Sequence, residues 1–430
     1  MRTKDIVPML FLFILMLISF SGAYVTSIGV VSSTYIIVVI FIAYSFIKGD
    51  KVIRFNKNDI THFYYFYIYV FILFILYVYS LFMYAFFNVG NDNFIAQQLK
   101  QVQILFISTI IFSIISRKVV VGLNVKKIAV VFFYFIIFLS IFNITQIINP
   151  TFKNWVISFS AYSLSAHWSV FAIEHLRGIG LQGLSLWDTA VGYSLLLFGV
   201  AGFLNEKGNK GTVLFVFSFF LLFFLTVISG RTGLIILIVF FIIILICYKR
   251  YFLLISIVTS LILILILSYN INDEIRKTID FGFELFINIG KGKLQTGSTN
   301  DLFDNMLFVP HMNDYIFGDN IYIGDGGADI IAGAKDSDSS FIINYKAYGI
   351  LGLFFTSLLT WINYKVIINI TSLASHKIKG SRIFKLITLL LVVFLYIKAP
   401  VYISALLFKV MIILYACINT HNNCDENLGS

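Results

Sequence analysis

Apolar residues run for about 20 positions at a time along most of the chain, with short polar stretches between the runs. That length is what an α-helix needs to cross a hydrocarbon core. Twelve such runs begin near Ile6, Ile28, Phe63, Val102, Ile128, Leu186, Thr212, Leu234, Phe252, Phe341, Phe384 and Val401. The last two are separated only by a tight turn at Lys398 and Pro400. The pattern predicts an all-α polytopic membrane protein with about 12 transmembrane helices, residues 1–430 forming a single transmembrane domain. The first run is long for a signal-peptide core and no small-x-small site clearly follows it, so it reads as an uncleaved first span.

Two polar stretches break this rhythm. One runs from residue 149 to 185, the other from 270 to 340, and connections of such length are functional or disordered. In the second, Ile271, Ile275, Ile279 and Phe283 recur every fourth position, with Phe286 following. The spacing predicts an amphipathic helix on the membrane surface, its charged face carrying Asp273, Glu274, Arg276 and Lys277. This large, partly helical loop is expected to cap a site.

Composition sharpens the membrane reading. Hydrophobic residues make up 59% of the 430 and charged residues 12%, about half the charge of a soluble domain. The net charge of +10 does not imply nucleic acid, because Lys and Arg sit in short clusters between apolar runs. One set of alternate loops holds 19 of them, from Arg2 and Lys4 to Arg382 and Lys385. The short loops opposite hold five: Lys100, Lys153, Arg177, Arg231 and Lys398. By the positive-inside rule both termini are cytoplasmic and the two long loops lie outside. The heavy use of Ile, Phe, Asn, Lys and Tyr fits an AT-rich bacterial gene, and for a multi-pass bacterial protein the cytoplasmic (inner) membrane is the expected location. Cys247, Cys417 and Cys424 show neither metal-ligand spacing nor a pairing framework.

The candidate chemistry lies on the outer face. Arg231, in Ser229-Gly230-Arg231-Thr232-Gly233, is either a planar fork for phosphate oxygens or a turn residue snorkelling to lipid. Arg177 opens Arg177-Gly178-Ile179-Gly180-Leu181-Gln182-Gly183, whose glycines allow anion binding or simply loop closure. Carboxylates gather just before the tenth span, with Asp336 and Asp338 in Asp336-Ser337-Asp338-Ser339-Ser340. They can act as general base or as turn formers. Gly326-Gly327-Ala328-Asp329 is one copy of a pattern that binds calcium only in repeats, and no metal site is expected. His311 is a loop histidine or a base. Lys346, Lys409 and Asp188 fall within or at the ends of apolar runs, where charge suggests function unless it snorkels.

Taken in order, these features resemble the O-antigen polymerases of the Wzy type, which are distantly similar to O-antigen ligases. The likeness rests on Arg177-Gly178 leading into a span, on Ser229 to Gly233, and on the stretch from Ile316-Phe317-Gly318 through Asp336 to Ser340 to Tyr348-Gly349-Ile350-Leu351-Gly352. The resemblance implies a GT-C-like glycosyltransferase that joins undecaprenyl-pyrophosphate-linked oligosaccharides by block transfer at the periplasmic face. It implies no cofactor, and a chain-length regulator protein as a partner alongside membrane lipid. Arg177, Arg231 and Lys346 would hold pyrophosphate; Asp338, then Asp336 or His311, would serve as base. Many relatives carry His-Asn where this chain has Asp338-Ser339, which keeps His311 in consideration. An Arg often found in their long loop has no match here, where Lys291 and Lys293 offer point charges instead. A lipid-linked oligosaccharide flippase and an O-antigen ligase are the rival expectations.

Overall fold

The computed structural model describes residues 3–27, 29–48, 61–121, 123–160, 179–182, 186–205, 209–269, 306–323 and 337–426, together with Arg276, Asp280, Glu284, Asn288, Asn300 and Asp304. Arg177, Asp336, Lys291, Lys293, residues 324–329 and the apolar positions of the surface helix expected after residue 270 lie outside the described residues. Within that stretch Arg276, Asp280, Glu284 and Asn288 are helical.

The chain opens with α1 (Thr3–Phe20), an antiparallel hairpin of β1 (Ala23–Thr26) and β2 (Gly29–Ser32), and α2 (Ser33–Lys48). Next come α3 (Tyr64–Phe87) and α4 (Asp92–Ile107), the latter continuing through a π-turn at Ser108–Phe112 into α5 (Ser113–Val120). They are followed by α6 (Val125–Ile148), the short α7 (Pro150–Phe159), α8 (Trp187–Val200), α9 (Asn209–Ser229), α10 (Arg231–Cys247) and α11 (Tyr251–Tyr269). After the long loop run α12 (Ser340–Ile370), the one-turn α13 (His376–Gly380), α14 (Arg382–Lys398) and α15 (Ala405–Glu426). Among the described residues six helices are long and apolar enough to cross a membrane: Tyr64–Phe87, Asp92–Val120, Val125–Ile148, Trp187–Asn205, Asn209–Ser229 and Ser340–Leu373. Five further apolar helices are shorter.

Asparagine sets several helix starts. Asn91, Asn124 and Asn149 accept from the backbone N–H of Phe94 (2.8 Å), Lys127 (2.9 Å) and Phe152 (3.1 Å), covering amides that a helix start leaves unpaired. The second apolar run departs from expectation, since its first residues form β2. Gly29, at φ +110°, turns the chain back, and Val30 and Val31 suit a pleated strand better than a helix start.

Helix α8 is the centre of the bundle. Every residue from Thr189 to Val200 is buried, as suits a helix apolar on all sides, and α6, α9, α10 and α15 surround it. Phe20 stacks on Tyr193 with centroids 5.3 Å apart. Helix ends gather in two groups, each tied by side-chain bonds. At one end the Tyr248 hydroxyl reaches Asn205 Oδ1 (2.7 Å) and the Ala374 carbonyl (2.5 Å). At the other, Tyr24 donates to the Leu181 carbonyl (2.7 Å), Ser404 to Asp188 Oδ2 (3.1 Å) and Ser340 to the Ala399 carbonyl (2.6 Å).

The tenth run, expected as one span, is broken at Gly349 (φ 60°, ψ −143°). The break frees carbonyls that the preceding loop then uses. Asp319 and Asn320 donate their N–H to Lys346 and Ala347 carbonyls, both at 2.9 Å, and Ile350 donates to Ile316 at 3.1 Å. A Cβ on Gly349 would stand 2.2 Å from the Ile316 oxygen, so only glycine fits. Asn320 then locks the loop to α3. Its amide donates to the carbonyls of Ser80 (3.0 Å) and Val89 (2.9 Å), while the Ser80 hydroxyl donates to its Oδ1. Asn320→Ala strips these buried groups of their partners, at a cost of about 2–4 kcal/mol. The expected result is a fall of several degrees in the Tm of the detergent-solubilised protein; an unchanged Tm contradicts this role.

Candidate functional site

At the hairpin end of the bundle lies a cavity of about 540 Å³. The end of α1, the hairpin, α4, the start of α8, the loop at Tyr322, and the turn between α14 and α15 all contribute to its wall. Its ionisable side chains are Lys100, Asp188, Tyr322, Asp338 and Lys409, interleaved with Ser21, Ser32, Gln182, Trp187 and Ser404. A polar cavity within an apolar bundle is where a membrane protein handles a polar ligand.

The serines around Asp338 fix its place. Ser337 donates its hydroxyl to the Met306 carbonyl (2.7 Å) and its N–H to Ile323 (2.9 Å). Ser340 donates to the Ala399 carbonyl and accepts from Val401 N–H (3.0 Å). The start of α12 is thereby tied to the end of α14, and Lys398 comes within electrostatic reach of Asp338. Ser339 Oγ is buried with no hydrogen-bond partner. Among the described residues of the resemblance motif Asp338 is the candidate base in the cavity wall, and the flanking serines Ser337 and Ser340 hold it.

Arg231 arrives from the other side. Gly233 lets α10 press against α8, where an added Cβ would stand 2.3 Å from the Ala190 carbonyl carbon. Ser194 donates across the same contact to the Gly233 carbonyl at 2.7 Å. This close approach carries Gly230 over Trp187 and sets Arg231 at the first turn of α10 beside the α8 start. Its guanidinium pairs with Glu284 of the long loop, and Arg231 also lies within electrostatic reach of Lys398. Lys398 is therefore near both Arg231 and Asp338, although 60 to 167 positions separate the three from one another in sequence.

Deeper in, Lys409 is 2% exposed and donates to the Ile18 carbonyl (3.1 Å) and Ser33 Oγ (3.2 Å). Asp188 is close enough to act on its charge. Asp188 itself accepts from Thr189 N–H (2.7 Å) and from Ser404. Mutual compensation makes this burial tolerable.

The other sequence candidates fall elsewhere. Lys346 Nζ donates to Asp319 Oδ2 and to the His311 carbonyl, both at 2.5 Å, and Asp319 Oδ1 accepts from Asn313 N–H (2.9 Å). Lys346 thus clamps the 311–320 loop onto α12, and His311 contributes its backbone while its side chain is exposed. Neither lines the cavity. Lys398 and Lys100 were legible only as stray outer charges, and nothing local marked Trp187 or Tyr322. A charge inside an apolar run did mark Lys409.

No family model, curated protein or solved structure matches the chain. Asp338, a half-buried carboxylate in the cavity wall with Lys398 in electrostatic reach, suits a proton acceptor beside an anionic leaving group.

Proposed function

We propose that the protein is a polysaccharide repeat-unit polymerase of the O-antigen type, with a GT-C-like arrangement of about 12 spans and both termini in the cytoplasm. The observation that carries this reading is Asp338 in the wall of the cavity, with Lys398 within electrostatic reach of both Asp338 and Arg231. In the reaction a hydroxyl oxygen of one lipid-linked oligosaccharide attacks the anomeric carbon of the growing chain. Its proton passes to Asp338. The bond to the undecaprenyl diphosphate breaks with its electron pair, and the charge that develops there is met by Arg231 and Lys398. Polar walls with Trp187 and Tyr322 suit sugar rings, and Glu284 of the long loop pairs with Arg231.

Deleting the gene and complementing it with wild-type or Asp338→Asn protein tests the proposal on lipopolysaccharide gels. The deletion and the Asp338→Asn strain, at normal protein level, are expected to carry single-repeat product only. A normal ladder from Asp338→Asn removes the carboxylate from the mechanism. One observation favours a second reading: Lys409 and Asp188 are charges inside the bundle, as in a transporter that moves the lipid-linked unit. For a flippase the deletion strain would lack even one repeat.

A further inference from the structure

The opposite end of the bundle has a groove of about 720 Å³ between α9 and α11. One wall is a single stripe of α9, Val213, Val216, Phe217 and Phe220, at the i, i+3, i+4, i+7 spacing of one helix face. Phe252 and Leu253 supply the other wall. Val213, Phe217 and Phe252 are 63%, 48% and 87% exposed, so the protein leaves this apolar surface open.

One end of the groove is polar and cationic. Asn209, Thr212, Lys249 and Arg250 form this rim, and no carboxylate lines the groove among the described residues. The rim is rigid. Lys249 sits in the left-handed region at φ 56°, and its N–H donates to Ile246 (2.9 Å). Arg250 N–H donates to Leu245 (2.9 Å), and its guanidinium donates to the Thr212 hydroxyl. The turn is anchored further by Tyr248, which reaches Asn205 and Ala374. Among the described residues, one bond to a neutral hydroxyl leaves the charges of Arg250 and Lys249 uncompensated at the mouth of an apolar trough.

We propose that this groove binds an anionic phospholipid, its acyl chains along α9 and its phosphate between Lys249 and Arg250. The occupant follows from complementarity: a long apolar trough with a cationic head fits a molecule with two apolar tails and one negative head. Zwitterionic lipids fill the trough equally well but bring a cation of their own to the rim. A free phosphate satisfies the rim and leaves the trough empty. This site is independent of the polymerase reading, being at the far end of the helices from the cavity.

The test uses the full-length protein in neutral detergent, with binding read by native mass spectrometry and Tm. The probes are phosphatidylglycerol, phosphatidylcholine with the same acyl chains, and inorganic phosphate. Phosphatidylglycerol is expected to bind about tenfold more tightly than phosphatidylcholine and to raise Tm, with inorganic phosphate doing neither. Lys249→Asn removes one charge while keeping a residue that tolerates the left-handed turn, and is expected to lose most of that preference. Lys249→Asn combined with Arg250→Gln should lose all of it. If the double variant fails to fold, Lys249→Asn alone decides, because it leaves the Arg250 bond to Thr212 intact. Equal binding of the two lipids, an equal Tm rise from inorganic phosphate, or a preference that survives Lys249→Asn overturns the proposal.

Discussion

Arg231→Ala, at normal membrane levels, is expected to reduce polymer formation by about 10²–10³-fold, the usual loss when one donor to a developing anion is removed. The guanidinium stands at the first turn of α10 and is held toward the cavity end by the close contact of α10 with α8. Its present partner is a carboxylate, Glu284, so a negative group already occupies the place that a diphosphate would take. That pairing permits a purely structural explanation, in which Arg231 merely fastens the long loop. Two further variants separate the alternatives. Glu284→Gln breaks the ion pair and leaves the fork free; it should retain the polymer ladder if Arg231 serves substrate. Arg231→Lys keeps charge without bidentate geometry and should recover only a part of the loss. Equal loss from Glu284→Gln and Arg231→Ala would reassign Arg231 to loop attachment.

Gly233→Ala is expected to have the largest effect on stability, about 2–4 kcal/mol, with most of the monodisperse protein lost on size-exclusion chromatography. The new methyl carbon would stand 2.3 Å from the carbonyl carbon of Ala190 and 2.4 Å from its oxygen. Backbone cannot rotate aside as a flexible side chain can, so α10 must retreat from α8. The retreat also breaks the bond from Ser194 to the Gly233 carbonyl. Small residues at helix contacts are how membrane helices approach closely when water supplies no apolar driving force between them. A Gly233→Ala protein with wild-type yield and Tm would show that this contact relaxes at little cost. Gly230, three residues earlier, is a useful contrast. Its added Cβ meets Ala190 at 3.5 Å, an ordinary contact, so Gly230→Ala should be tolerated far better.

The two variants share a cause. Ser229-Gly230-Arg231-Thr232-Gly233 reads as a loop motif in sequence, yet its glycine and its arginine do different things. Gly233 sets how closely two buried helices pack, and that spacing places Arg231. The same division holds in Ile316-Phe317-Gly318-Asp319-Asn320, where Asp319 and Asn320 give their N–H groups to a helix broken at Gly349. Asp319 also neutralises Lys346, which converts a candidate phosphate ligand into a clamp.

The helical character, the apolar runs and the charge alternation were written in the chain, because a 20-residue apolar stretch has few alternatives in lipid and hydropathy is a local property. Arg231 and Asp338 could be picked out for the same reason, as polar groups flanking apolar runs. Their shared neighbour Lys398 could not, since proximity across 60 or more residues depends on how helices pack, and packing depends on pairwise shape rather than on any local pattern. The break at Gly349 and the hairpin at Gly29 were likewise settled by tertiary structure. Each needs a distant or turned-back partner to take the backbone groups that a continuous helix would have paired internally.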